Sequence, residues 1–310
     1  MLKMLGKASN PCLRQTGVNL TTFVEIMPSL RRRSSRAEVA PATPHLFAPT
    51  AQRPVRCKHT THAADTRVVP HRHAWAQLAY SSVGVMRVEA AQGTFMAPPS
   101  RAVWIPPGVE HAVTAVEHSH YHTLYLDQPP PHPPRDGQDW HHCRVLEVTD
   151  LLRAVILALD VRSDAEPPPT SLELARERHL VAVLYDELSS ARPVPLGLPM
   201  PRDKRLHQLC AAILDDPARH TTLAAWATDA GASERTLARL FRAELGTSYA
   251  RWRQQALIAR AMVLAAAGHP MNHIASALGY ASPSAFSAMV RRELGDSPRR
   301  MFFNRRDPQA

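Results

Sequence analysis

The sequence predicts an α+β chain of more than one domain: a small all-β domain, a helical connection, and a C-terminal all-α domain carrying two helix-turn-helix units. Three observations predict it. The stretch from Ala227 to Gly246 reads ATDAGASERTLARLFRAELG and that from Ala275 to Gly295 reads ASALGYASPSAFSAMVRRELG, so one pattern is written twice. Between Arg53 and Asp127, short alternating runs are punctuated by turn residues instead. The charge is also uneven. Residues 1–60 hold 10 basic and 2 acidic side chains (net +8), residues 61–202 hold 12 and 16 (net −4), and residues 203–310 hold 15 and 9 (net +6). A basic C-terminal region joined to an acidic middle points to a nucleic-acid module attached to something that is not one.

Residues 1–52 show no sustained period and include RRRSSR at Arg31–Arg36 before a proline-dotted stretch, so a disordered extension is predicted. The arginine run reads as a solvated tail. Over 53–128 the candidate strands are Trp75–Tyr80, Val85–Ala90, Thr94–Ala97, Ala102–Ile105, Ala112–Ala115 and Tyr121–Leu126. Several strands at such spacing argue for a barrel or sandwich.

Within this domain His71 and His73 are two apart and Gln77 is four further on, so an unbroken strand would place all three on one face. His111 follows a Pro-x-Gly turn at Pro106 and Gly108. Two readings stay open. His71, His73, Gln77 and His111 hold a divalent metal, three imidazoles being a common first-row set. Alternatively the domain is a metal-free effector pocket in which the same residues are polar contacts. His118, His120 and His122 alternate on a later strand and read as solvent-facing; Trp75, Trp104 and Ile105 read as core.

Residues 129–202 comprise a proline-rich linker at Pro129–Trp140, helices at Thr149–Val161 and Ser171–Ser189, and a second loose linker, ARPVPLGLPMP. The expected apolar stripes are Leu151, Leu152, Val155, Ile156 and Leu159, then Leu180, Val183, Leu184 and Leu188. They serve either a homodimer contact or packing against the β-domain.

Over 203–304 each repeat unit has a small residue (Ala227, Ala275), a turn glycine (Gly231, Gly279) and an N-capping serine (Ser233, Ser282). Leu237, Leu240 and Phe241 form one expected buried stripe, and Arg235, Ala238, Arg239 and Arg242 face the other way with spacing that suits a DNA groove. The outer face of the second unit carries Ser284, Ser287, Ala288 and Arg291, a poorer set for reading bases because only arginine offers a bidentate fork. Between the units, residues 247–267 hold no Gly or Pro. A rod of about 28 Å is expected, close to the roughly 34 Å between successive major grooves on one DNA face.

Residues from about Asp203 to Phe303 resemble the DNA-binding domain of AraC-type bacterial transcription regulators. GYASPSAFSAMVRRELGDSPRRMF carries the Gly-Tyr, the Phe and the Gly-x-Ser-Pro ending of that family's second half, departing from it at Ala288 and Val290. By the resemblance, Arg235, Ala238 and Arg239 occupy base-contacting positions. His71-x-His73, Gln77, Gly84 and Pro106-x-Gly108-x-x-His111 resemble the two cupin motifs, with Gln77 in a glutamate position. The resemblance implies a cupin-like barrel sensing a small molecule, a dimer contact from the helices after it, and promoter DNA and RNA polymerase as partners.

The four cysteines, Cys12, Cys57, Cys143 and Cys210, form no metal or disulfide pattern, and no apolar run approaches bilayer length. With no contiguous signal-peptide core, a cytoplasmic, non-enzymatic regulator is expected. The rival class is a metal-dependent cupin enzyme, an oxygenase or isomerase, with an accessory helical half.

Overall fold

Two six-stranded sheets face one another across a single apolar core in the first half of the protein. The computed structural model describes residues 37–302, apart from positions 42, 92, 135, 136 and 138. The disorder expected over residues 1–36, with the Arg31–Arg36 run, lies outside the described residues. The strands are β1 (Glu38–Val39), β2 (Val55–His62), β3 (Arg67–His71), β4 (Ala76–Val83), β5 (Met86–Ala90), β6 (Gly93–Ala97), β7 (Arg101–Ile105), β8 (His111–Ala115), β9 (Ser119–Leu126), β10 (Arg144–Glu147), β11 (Pro193–Val194) and β12 (Gly197–Leu198). One sheet has the order β1-β3-β8-β5-β6-β12 and the other β11-β10-β7-β4-β9-β2.

Alternation along each strand decides which residues meet. Met86, Val88, Phe95, Val113 and Ala115 of the first sheet share a core with Ala79, Val103, Ile105 and Tyr121 of the second. The intervening residues of the second sheet (Leu78, Tyr80, Ala102, Trp104, Leu124 and Leu126) point outward and are covered by helices α1 (Asp150–Ala158) and α2 (Ser171–Ser190). Along β7 that sheet is therefore covered on both faces, which is why Arg101–Ile105 is buried at every position.

All six expected strands are present, with ends moved by up to three residues. The sheets, however, reach beyond 53–128. β1, β11 and β12 form edges and β10 lies just inside β11, all outside the expected set because strands of two to four residues carry too little alternation to stand out. Disorder expected over 37–52 is replaced by β1 and a 3-10 turn at Pro44–Phe47 with Phe47 buried. Neither linker is loose. Trp140 lies against Trp104 at 4.7 Å and accepts its indole N–H at the backbone, while β11 and β12 each join a sheet.

The capping box at Thr170 and Glu173 starts α2, and Thr149 caps α1. Leu152, Val155, Ile156, Leu184 and Leu188 pack on the second sheet, each such burial contributing about 2 kcal/mol. Leu151 and Val183, expected in those stripes, are instead 53% and 37% exposed. The true stripe is set by what the sheet needs covered.

The helical half holds α3 (Lys204–Asp215), α4 (Leu223–Asp229), α5 (Glu234–Leu245), α6 (Tyr249–Ala266), α7 (Met271–Ala277), α8 (Pro283–Leu294) and α9 (Pro298–Phe302). α6 is shared between two cores. Its Trp252 and Ala256 pack with Leu206, Trp226, Leu237 and Phe241 of the first unit; its Leu257, Ile258, Ala261 and Met262 pack with Ile274, Phe286, Met289 and Val290 of the second. A helix buried on opposite sides in its two halves has no single polar face.

Candidate nucleic-acid interface and sensor pocket

In the first helical unit, α4 turns into α5 at Gly231, whose φ of +59° is a left-handed value that suits glycine. Ser233 Oγ accepts from the Thr236 amide at 3.1 Å and caps α5. Leu237 and Phe241 are fully buried beneath it, and Leu240 is half-buried at the margin. This anchoring turns Arg235, Arg239 and Arg242 outward at i, i+4 and i+7, with half-buried Ala238 between them. All three arginines are exposed and make no ion pair among the described residues. Together with Thr236, Ala238 and Ala243 they line one shallow open depression.

The second unit repeats the design. Gly279 turns the chain at φ +78°, Ser282 Oγ caps α8 through the Ala285 amide at 3.2 Å, and Phe286, Met289 and Val290 anchor it. Ser284, Ala288 and Arg291 are exposed and Ser287 is half-buried. The Ser284 hydroxyl lies 2.9 Å from Ser282 Oγ, so it is engaged at the helix cap. Arg291 makes no ion pair among the described residues, whereas Arg292 pairs with Glu293 at 3.4 Å.

At the sensor end the expected unbroken strand does not exist. β3 ends at His71, after a register irregularity beyond Val68, and the chain then crosses to the other sheet before β4 begins. His71 and Gln77 therefore belong to different sheets, and His73 lies on the crossover. The Pro-x-Gly turn closes onto that crossover, with the Gly108 amide donating to the His73 carbonyl at 2.8 Å. It places His111 directly opposite His71 in register.

These placements bring three imidazoles together. Candidate ligand atoms of His71, His73 and His111 all lie within 4.8 Å of one another. Each ring directs Nδ1 at a backbone carbonyl: His71 to Val69 at 2.9 Å, His73 to Trp75 at 2.7 Å, His111 to Val109 at 2.9 Å. A carbonyl only accepts, so in the neutral ring each Nδ1 carries the proton and each Nε2 is left with a lone pair. Burial first, then the neighbouring imidazoles, hold His111 down at about 4, against an opposing hydrogen bond to Val109. His71 is lowered in the same way, with Lys58 adding to the repulsion. His111 Nε2 is buried without a hydrogen-bond partner.

Gln77 Oε1 lies 2.9 Å from His73 Nε2. Since that nitrogen offers only a lone pair, the amide that satisfies both groups turns its NH2 toward His73 and its oxygen away. A set of three lone-pair nitrogens fixed by backbone carbonyls fits a divalent first-row ion.

The space between the sheets is a cavity of about 40 Å³, lined by Lys58, Thr60 and His62 of β2, Gln77 and Ala79 of β4, and Tyr121, Thr123 and Tyr125 of β9. Val68, His71, Met86 and Val113 wall the opposite side, and Ala40 and Pro41 reach in from the N-terminal segment. No carboxylate lines it. A larger hollow of about 230 Å³ lies between α2 and residues 52–54, outside the sheets. Its Arg53 and Glu177 already pair at 3.0 Å.

The other expected roles divide. Trp104 and Ile105 are core, but Trp75 is half-buried and stacks on His73 at 5.4 Å. His120 and His122 face away from the cavity, half-buried beside His59, and His118 is exposed. Lys58, His62, Tyr121 and Tyr125 also line the cavity; for the first two the alternation of Lys58, Thr60 and His62 is a signal, but one that a solvated face shares.

Comparison with known proteins follows this division. Residues 226–303 match the family described as a helix-turn-helix domain, and residues 53–171 match the AraC-like ligand binding domain. The chain is 31% identical over 233 residues to the HTH-type transcriptional regulator NimR of Escherichia coli, covering 74% of this chain and 80% of that protein. The chain belongs to the AraC-type family of transcription regulators. A second match, the HTH-type transcriptional regulator RipA of Corynebacterium glutamicum, is 29% identical over 100 residues, 32% of this chain and 30% of RipA. The structure of ToxT from Vibrio cholerae, bound to a naphthalenyl-butenoic acid, covers 80% of this chain and 98% of its own at 10% identity and a TM-score of 0.33. This AraC-type chain is thus a DNA-binding transcription regulator with a ligand-binding domain. No helix among the described residues is long and apolar enough to cross a membrane.

Proposed function

We propose that α5 discriminates bases through Arg235, Ala238 and Arg239, with Arg242 on phosphate, while α8 fixes register through Arg291, Ser284, Ser287 and Ala288. The observation that carries this is the row of three unpaired, exposed guanidinium groups on a helix capped at Ser233 and anchored by Leu237 and Phe241. Arginine without a carboxylate partner meets DNA with its fork free. The test is binding to a duplex selected by the protein from a random pool and to its single-base variants. Uniform affinity across all variants removes the reading.

The effector site is the cavity between the sheets. His71, His73 and His111 hold a divalent first-row metal at the His71 end of that cavity, where Gln77 would turn its amide so that the oxygen becomes a neutral fourth donor once the His73 lone pair is taken by the ion; such an ion supplies open positions for an oxygen- or nitrogen-bearing effector. Support for a regulator over an enzyme comes from identity to regulators across both halves, and from a cavity lining with no carboxylate to pair with an imidazole as acid and base. The exposed faces of α1 and α2, with Leu151, Leu157, Leu172 and Val183, form a homodimer contact. The protein works in the cytoplasm, and RNA polymerase is the partner through which bound regulator alters transcription.

A further inference from the structure

We propose that residues 193–198 gauge the spacing between the two sheets, and that Gly93, Gly197 and Trp252 are the positioning residues through which an occupied cavity moves the first helix-turn-helix unit. The proposal rests on the reading of the inter-sheet cavity as the effector site. The two short strands of this segment lie on different sheets. β11 adds to the edge of one through Val145↔Val194 and Leu146↔Pro193; β12 adds to the edge of the other through Gly197↔Phe95 and Leu198↔Thr94. Pro195 and Leu196 alone separate them. The Leu196 amide folds back to the Val194 carbonyl at 2.7 Å, and the Leu196 carbonyl accepts from Met96 at 3.2 Å. With two residues between anchors the strap has little slack, since extended chain spans at most about 3.3–3.6 Å per residue.

Its seat requires two glycines. A Cβ on Gly93 would fall 2.5 Å from the Leu198 carbonyl oxygen, and one on Gly197 would fall 2.9 Å from the Phe95 ring. Beyond the seat, every step into the DNA-binding domain is held. Leu198 packs with Leu206, Trp226, Phe241 and Trp252. The Pro199 carbonyl accepts the Trp252 indole N–H at 2.7 Å. The amides of Arg202 and Asp203 donate to Glu244 Oε2, on α5, at 2.7 and 3.0 Å.

A cavity of about 40 Å³ holds a few waters at most, since each needs about 10–15 Å³ of such space. A larger occupant parts the sheets. The strap, pinned to both, must then shift, and Trp252 and Glu244 carry that shift to α6 and α5.

The test uses the full chain. Ala79→Leu plants a permanent occupant, because Ala79 lines the cavity and is fully buried. Inserting Gly-Ser-Gly-Ser after the exposed Pro195 slackens the strap while leaving each strand able to pair. Affinity is measured for a duplex selected by the wild-type protein, with each change alone and combined. We expect Ala79→Leu to change affinity about fivefold or more with the native strap. With the slack strap the change falls below about twofold. An equal change in both backgrounds overturns the proposal, as does no change with the native strap in a variant that unfolds cooperatively. Should Ala79→Leu fail to fold, Ala79→Val replaces it. Hydrogen exchange at the Met96 amide then serves beside it, since by reciprocity DNA must alter protection there and unchanged protection overturns the proposal. Failure of the wild-type chain to select any duplex is a separate result, and it removes the DNA-reading assignment instead.

Discussion

His71 and His111 face one another across neighbouring antiparallel strands, ring centroids 4.4 Å apart, and each gives its Nδ1 proton to the carbonyl two residues before it. The paired geometry leaves both Nε2 lone pairs directed inward with His73 as the third. From this follows a first prediction: untagged protein binds Co2+ or Zn2+ at one interior site, and His111→Ala weakens it at least about a hundredfold. Equilibrium dialysis and cobalt visible absorption measure it. Cobalt bound equally by the variant removes the metal reading. Because only neutral imidazole ligates, binding weakens as pH falls.

A second prediction concerns acid stability at His122, on the outer face of the second sheet. Burial first, then His59, His120 and Arg153, hold this imidazole at about 4 instead of 6.5. Between those values the unfolded chain binds a proton that the folded chain refuses. The stability is therefore intact above pH 6.5 and drains away as pH falls toward 4. For a ring partly open to solvent the loss is about 1–2 kcal/mol. His122→Gln should flatten this part of a urea-unfolding series against pH. A series unchanged by the substitution would place the acid lability elsewhere.

The third prediction is structural. Phe241 is fully buried against Tyr249 and Trp252, at ring-centroid distances of 5.6 and 5.8 Å. Phe241→Ala leaves a cavity under α5 and should cost about 3–5 kcal/mol. DNA affinity should fall while cobalt binding survives, because the histidines belong to another core. Loss of both together would show that the two halves unfold as one.

What could be read in the sequence tracks how strongly each residue's surroundings repeat along the chain. The two helical units were legible because a serine cap, a glycine turn and a buried triplet recur, and Arg235, Arg239 and Arg291 are exposed where the repeat put them. The cavity was half legible. His71, His73 and His111 converge, but Gln77 reaches them from the other sheet, because a break after His71 was invisible to strand alternation. Lys58 and His62 escaped notice since a polar face turned inward has the same pattern as one turned to water. β11 and β12 escaped because proline and glycine punctuate them, and only tertiary contact makes two-residue strands.

The last prediction separates the two DNA heads. Arg239 stands in the middle of the unpaired row on α5, whereas Arg291 stands beside Ala288 on a face otherwise made of small side chains. A base-edge contact and a phosphate contact respond differently to sequence and salt. Arg239→Ala should cost about 1–3 kcal/mol on the selected duplex and relax preference at one or two base pairs. Arg291→Ala should weaken all duplexes alike and reduce the slope of log affinity against log salt by about 0.9. Titrations of single-base variants over a range of salt concentrations measure both. If Arg239→Ala scaled every duplex equally, or Arg291→Ala changed which bases are preferred, the division of labour between α5 and α8 would have to be reversed.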